Sequence, residues 1–238
     1  MTINPPLNPG SANDALIRRN TLTALPFMLL VPVGFALAYW LFGVSLRPSA
    51  LLIGALGWLV ALGLRAPVSM VLLKALKVPE RVQPWVIASS GPLEEIVRVC
   101  VLLLVGRSFS QALSIGLGWA AIEVIYTAIT AVVTLSLLQR TDEQAMQARA
   151  AMDAMGLLRP TTPALGVVER ISASALHIGF TLILAWSFWL VPVTMLVHSA
   201  VNLTLVRTFK RAPLLSELAL LVVGAVTLLT GLALFDRL

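Results

Sequence analysis

From residue 22 onward the chain is dominated by long apolar stretches separated by short polar breaks. A membrane-spanning helix needs roughly 20 predominantly apolar residues. Seven candidates fit that pattern, at about 22–43, 49–73, 85–106, 110–138, 164–186, 189–206 and 213–235. Arg65 and Pro67 interrupt the second, which predicts a kink or a break there. Only Trp186–Leu190 is left for the turn between the fifth and sixth. The one sizeable loop, 139–163, mixes Arg with Asp and Glu and predicts a short surface helix from Asp142 to Met155. The first 20 residues are polar and rich in Pro and Asn, and the apolar run behind them is too long for the core of a signal peptide. The expected fold is therefore all-α. A polar tail (1–20) precedes a single polytopic transmembrane bundle (21–238) with no separate soluble domain and no internal repeat.

Composition narrows the class further. Hydrophobic residues make up 58% of the 238 and charged residues 12%, about half the charged share of an ordinary globular domain. Mean hydropathy is +0.93. So few charges cannot cover the surface of a soluble protein of this size. A single cysteine, Cys100, excludes a disulfide scaffold. The net charge of +6 could suggest a nucleic-acid partner, but in so apolar a chain basic residues are orientation signals, and no nucleic acid is expected. Eleven of the 17 fall on one side if the N-terminus is cytoplasmic: Arg18, Arg19, Lys74, Lys77, Arg81, Arg140, Arg149, Arg159, Arg207, Lys210 and Arg211. Three fall on the other side (Arg47, Arg107, Arg237), and three lie inside spans (Arg65, Arg98, Arg170). That split predicts seven spans with the C-terminus outside, in a lipid bilayer.

Ionisable groups inside a bilayer cost several kcal/mol unless paired or hydrated, so each is a functional candidate. Here they are Arg65, Glu94, Glu95, Arg98, Glu123, Glu169, Arg170, His177 and His198, with Asn202 as a polar companion; the set holds both histidines of the chain. Glu94 and Arg98 share a helical face and can pair, while Glu95 is turned about 100° away. His198 and Asn202 have the same i,i+4 relation. Counting ~1.5 Å per residue from the span ends puts Glu94 about 14 Å from the cytoplasmic side and His198 about 13 Å from the other, with Glu123 and His177 each about 20 Å from their entry side. In a core of about 30 Å these depths fall in one central layer. Glu94–Arg98 and Glu169–Arg170 can equally be structural ion pairs, and an intramembrane histidine can be a hydrogen-bonded core residue. Two adjacent glutamates, two histidines and an amide are nevertheless the set needed to activate water. A carboxylate takes the proton, imidazoles orient the nucleophile or bind a metal, and an amide holds the oxyanion.

Glu94-Glu95-Ile-Val-Arg98, then His177, then His198-Ser-Ala-Val-Asn202 resembles the superfamily of CAAX-protease and bacteriocin-processing intramembrane endopeptidases. The Arg follows the Glu pair after two residues rather than three, which looks more like the bacterial YhfC branch of intramembrane metalloproteases. Leu64-Arg65-Ala66-Pro67 is similar to that branch's Arg-x-Pro. Gly116-Leu-Gly118-Trp119-Ala-Ala-Ile-Glu123 resembles its Gly-rich segment ending in Glu, and Glu169-Arg170 with His177 seven on resembles its fifth span. Trp119 stands near where many relatives are expected to carry a histidine.

The resemblance implies a peptidase acting on a membrane-associated peptide or protein. Glu94 would be general base, held by Arg98. His177 and His198 would position the water or ligate Zn²⁺, with Glu95 and Glu123 as further ligands or orienters and Asn202 holding the oxyanion. His177, His198 and Glu123 are the metal candidates it implies. Glu/His/His is a catalytic zinc set, and a metal-free glutamate mechanism fits the same residues. A non-catalytic scaffold of the same fold and an ion- or proton-coupled transporter are the alternatives. The first would not need both glutamates. The second usually shows inverted repeats.

Overall fold

The computed structural model describes residues 12–154, 158–209 and 211–236. Among these residues the secondary structure is helical throughout: α1 (Ala12–Leu41), α2 (Pro48–Leu76), α3 (Pro79–Val105), α4 (Phe109–Gln139), α5 (Glu143–Ala154), α6 (Pro163–Trp186), α7 (Val191–Thr208) and α8 (Pro213–Ala233). Six are long and apolar enough to cross a membrane, namely α1, α2, α4, α6, α8 and α7 with the short 3-10 turn before it. The chain is a multi-pass membrane protein. The expected span 85–106 falls on α3, whose 27 residues reach about 40 Å. It stands apart from the six because Glu94, Glu95 and Arg98 cluster in its second half.

The central helix is α6, which packs on α8, α4 and α1, while α2 bridges α3 and α4, and α3 leans on α7. Lipid gives helices no hydrophobic reason to associate, so close backbone approach at small residues has to supply the contact. Gly118 of α4 is an instance: a Cβ there would strike the Leu51 carbonyl oxygen of α2. Gly179 does the same for α6 and α8, where a Cβ would lie 2.5 Å from the Thr227 carbonyl carbon.

Two boundaries differ from expectation. α1 already includes Ala12, inside the stretch that reads as a polar tail, and residues 1–11 of that tail lie outside the described residues. The reason is a buried ion pair: both carboxylate oxygens of Asp14 accept from Arg149 Nη2 at 2.8 Å, tying the polar start of α1 to α5. Of the kink or break expected at Arg65 and Pro67, the break does not occur, and α2 runs through both. A membrane helix tolerates proline because neighbouring groups can satisfy the carbonyl it frees. The turn between α6 and α7 is the 3-10 segment Phe188–Leu190, within the expected Trp186–Leu190. The surface helix appears as α5, where Asp142 Oδ1 accepts the Ala145 N–H at 3.1 Å. Arg140 donates to the same carboxylate at 2.7 Å, and that bond holds the Asp142 carboxyl below its ordinary value. Met155, the expected end of this helix, and the basic residues Lys210 and Arg237 lie outside the described residues.

Candidate functional site

Glu94 and Glu95 are adjacent on α3 and therefore point to different neighbours. Glu94, 2% exposed, faces α2 and α4: its Oε1 pairs with Arg65, and its Oε2 accepts from Trp119 Nε1 at 3.1 Å. Glu95, with no exposed surface, faces α7 and its own helix. Its Oε1 lies 2.8 Å from His198 Nδ1 and its Oε2 takes Arg98 Nε at 3.1 Å. The expected Glu94–Arg98 pair is thus corrected. Arg98 pairs with Glu95 at i,i+3, because its guanidinium is drawn toward α6, donating from Nη1 to Thr181 Oγ1 at 2.7 Å and to the His177 carbonyl at 3.2 Å. The Trp119 ring covers it, 4.1 Å from the guanidinium carbon. The counter-charge for Glu94 comes from α2 instead.

These contacts fix both imidazoles. Arg98 can only donate, so His177 Nδ1, 3.1 Å from Arg98 Nη2, must accept. The proton of a neutral His177 then sits on Nε2 and goes to Glu123 Oε2 at 2.5 Å. Glu123 is anchored in turn by Arg170 Nη1 at 2.9 Å, and Arg170 Nη2 reaches Glu169 at 2.6 Å. His198 has the opposite tautomer. In a neutral His198 the Nδ1–H points at the Glu95 carboxylate, which leaves the Nε2 lone pair facing Glu94 Oε2 at 3.8 Å. The two rings meet edge to face, 5.4 Å between centroids. Asn202, one turn on from His198, donates to Ser90 Oγ at 2.7 Å, one turn before Glu94. Nine of the ten sequence candidates therefore meet in one polar cluster on α2, α3, α4, α6 and α7, with Glu94 reaching the histidines at 3.8 and 4.0 Å, and Asn202 stands beside it on Ser90.

The network lines a cavity of about 370 Å³ whose wall includes Glu94, His177, His198, Asn202, Arg65 and Glu123. Its lining runs along α3 from Glu94 back to Ile87, along α6 from His177 back to Glu169, and along α7 from His198 on to Val206. Each direction leads to the end of the bundle that carries α5. On the opposite side Leu102, Leu113, Ile115, Ile178 and Leu182 close the core with no exposed surface.

Glu94, His177 and His198 form a buried group that could hold a metal ion, with one ligand atom each within 4.8 Å of one another. Glu123, the third expected ligand, sits instead on the far nitrogen of His177. The donor types suit zinc, but the arrangement does not. The Nδ1 lone pair of His177 is taken by Arg98, and a cation placed there would meet the Arg98 guanidinium directly and that of Arg65 across Glu94. The site as built suits water between a carboxylate and an imidazole.

Several participants are not among the sequence candidates. Trp119, which the sequence marks only as a departure from a family pattern, is the donor that holds Glu94 Oε2. Ser90 and Thr181 carry no charge to mark them. Outside the cavity lining, Glu217 near the start of α8 is also buried, 2% exposed, with an Oε2 that has no hydrogen-bond partner.

Fold and site together define a multi-pass helical membrane protein with a buried glutamate–histidine centre. No protein-family model, curated protein or solved structure matches the chain.

Proposed function

We propose that the chain is an intramembrane endopeptidase that cleaves a peptide bond of a membrane-associated substrate with water activated by Glu94. One observation carries the reading: Glu94 Oε2 lies 3.8 Å from His198 Nε2, inside the bundle. That gap is too long for a direct hydrogen bond and suits one bridging water at about 2.8 Å from each of the two atoms. Glu94 takes the proton of that water as its oxygen attacks the carbonyl carbon, and later hands the proton to the leaving amine. His198, held in one tautomer by Glu95, accepts the second hydrogen of the water and fixes its direction. An Asn side chain has two amide hydrogens. One from Asn202 goes to Ser90, and the other is available to the oxyanion in the cavity.

No step needs a metal. Hydrolysis by purified chain in lipid nanodiscs is expected to be unchanged by a strong chelator. Activity lost to chelator and restored by Zn²⁺ alone would replace the water-bridged reading with a zinc site and require Arg98 to leave His177.

The order of the Glu-Glu pair, Arg, His and His-x-x-x-Asn supports membership of the YhfC branch of the CAAX-protease superfamily. We also take α3 as a seventh span with the N-terminus in the cytoplasm, on the strength of the lopsided distribution of basic residues, and a bacterial inner (cytoplasmic) membrane as the location, on the likeness to the bacterial YhfC branch. A periplasm-dependent reporter fused after Leu238 is expected to be active. One active only in the cytoplasm would overturn this orientation.

A further inference from the structure

Hydrolysis inside a bundle requires water to reach the bundle's centre, and the far side of the catalytic layer is closed by the core. A second cavity of about 390 Å³ lies between α1, α4 and α6 and meets the catalytic one at Tyr126, Thr127 and Glu169, which line both. From that junction it runs toward α5, past Thr130 and Thr134 on α4, Asn20 and Thr21 on α1, and Thr161 before α6. Thr127, Thr130 and Thr134 are spaced i, i+3 and i+7, so they form one stripe along α4. Polar residues are scarce in these helices, and here three of them follow one line.

We propose that this threonine-lined cavity is the aqueous passage that supplies the hydrolytic water to Glu94 from the α5 end of the bundle. The assignment rests on the peptidase reading for its purpose, but its own test does not require cleavage. The volume has room for on the order of ten waters, and each needs two or more polar partners. They are present: the Thr130 hydroxyl gives its hydrogen to the Tyr126 carbonyl at 2.9 Å and keeps its lone pairs for solvent. Asn20 gives one amide hydrogen to the Thr161 carbonyl at 2.8 Å and retains the other donor and its carbonyl. At the inner end Thr127 Oγ1 lies 3.1 Å from Arg170 Nη1, so the passage ends on the charge cluster that anchors His177 through Glu123. Arg65, Glu123 and Arg170 then line the way to Glu94.

The experiment uses a charged, membrane-impermeant methanethiosulfonate reagent on the full chain in nanodiscs. The native Cys100 is replaced by Ser, and single cysteines replace Thr130, Thr134, Val132 or Val133. Val132 and Val133, 53% and 52% exposed, line neither cavity and serve as lipid-side controls for the half-buried Thr134 and for Thr130, which is exposed but lines the cavity. Thiols react as thiolates, which form only where water reaches, so Thr130→Cys and Thr134→Cys are expected to react at least about 10-fold faster than the valine controls. Equal rates at all four positions would overturn the passage. Where the parent cleaves a reporter, labelled Thr134→Cys is expected to lose turnover and labelled Val133→Cys to keep it; turnover intact after complete labelling of Thr134→Cys would also overturn it. Fast labelling in a chain that cleaves nothing would refute the peptidase reading alone.

Discussion

Glu94→Gln is expected to leave a folded protein that no longer turns over, with kcat lowered by roughly 10²–10⁴ and KM little changed. The amide keeps the shape of the carboxylate and one oxygen for Trp119 Nε1–H, but it cannot take a proton from water. Stability should hold because the charge left behind is not sealed in. Arg65 keeps 29% of its side chain exposed and lines the cavity, so water can replace its lost partner. The pair is only half sealed, so its loss should cost less than that of the fully buried Glu95–Arg98 pair. His198→Ala should lower kcat similarly, and the double variant should fall no further than either single one, because groups that act on one water are not additive. The measurement is cleavage of a membrane-anchored reporter beside thermal unfolding of the same samples. Cleavage at the parental rate by the double variant would remove Glu94 and His198 from the mechanism.

The depth of this site is legible in the sequence, and its wiring is not. Helical rise is fixed at about 1.5 Å per residue, so counting from span ends brings Glu94, His177 and His198 to one layer whatever the bundle's packing. Partner choice is different. Arg98 can reach Glu94 at i,i+4 or Glu95 at i,i+3 with similar ease, and the decision is made on another helix by Thr181 and the His177 carbonyl. The ion pair of Arg65 with Glu94 depends on α2 lying against α3, which no local pattern encodes. The start of α1 is hidden for the same reason. A polar stretch looks like a tail until the partner of Asp14 is known, and that partner is 135 residues away. Periodicity and rise carry local geometry. Long-range pairing is carried by packing alone.

The swapped pairing makes the two adjacent glutamates opposites under the same substitution. Glu95→Gln is expected to destabilise the fold by about 3–5 kcal/mol, the usual result of removing one partner from a buried ion pair. Arg98 has no exposed surface, so no water can take the place of the carboxylate. Its other partners, Thr181, the His177 carbonyl, His177 Nδ1 and the Trp119 ring, carry no negative charge to balance it. Glu94→Gln should therefore change activity with little effect on melting, and Glu95→Gln should change melting first. A second substitution separates a charge effect from a shape effect. Removing both partners together, as in Glu95→Gln with Arg98→Met, leaves no unpaired ion and should recover most of the lost stability. Activity should not return, since His198 Nδ1 no longer faces a carboxylate and the water it steers loses its direction. Unfolding midpoints of the two single variants and the double variant give the coupling directly. If Glu95→Gln melts like the parent, Arg98 is not held by Glu95 in the working protein, and the tautomer assigned to His198 falls with it.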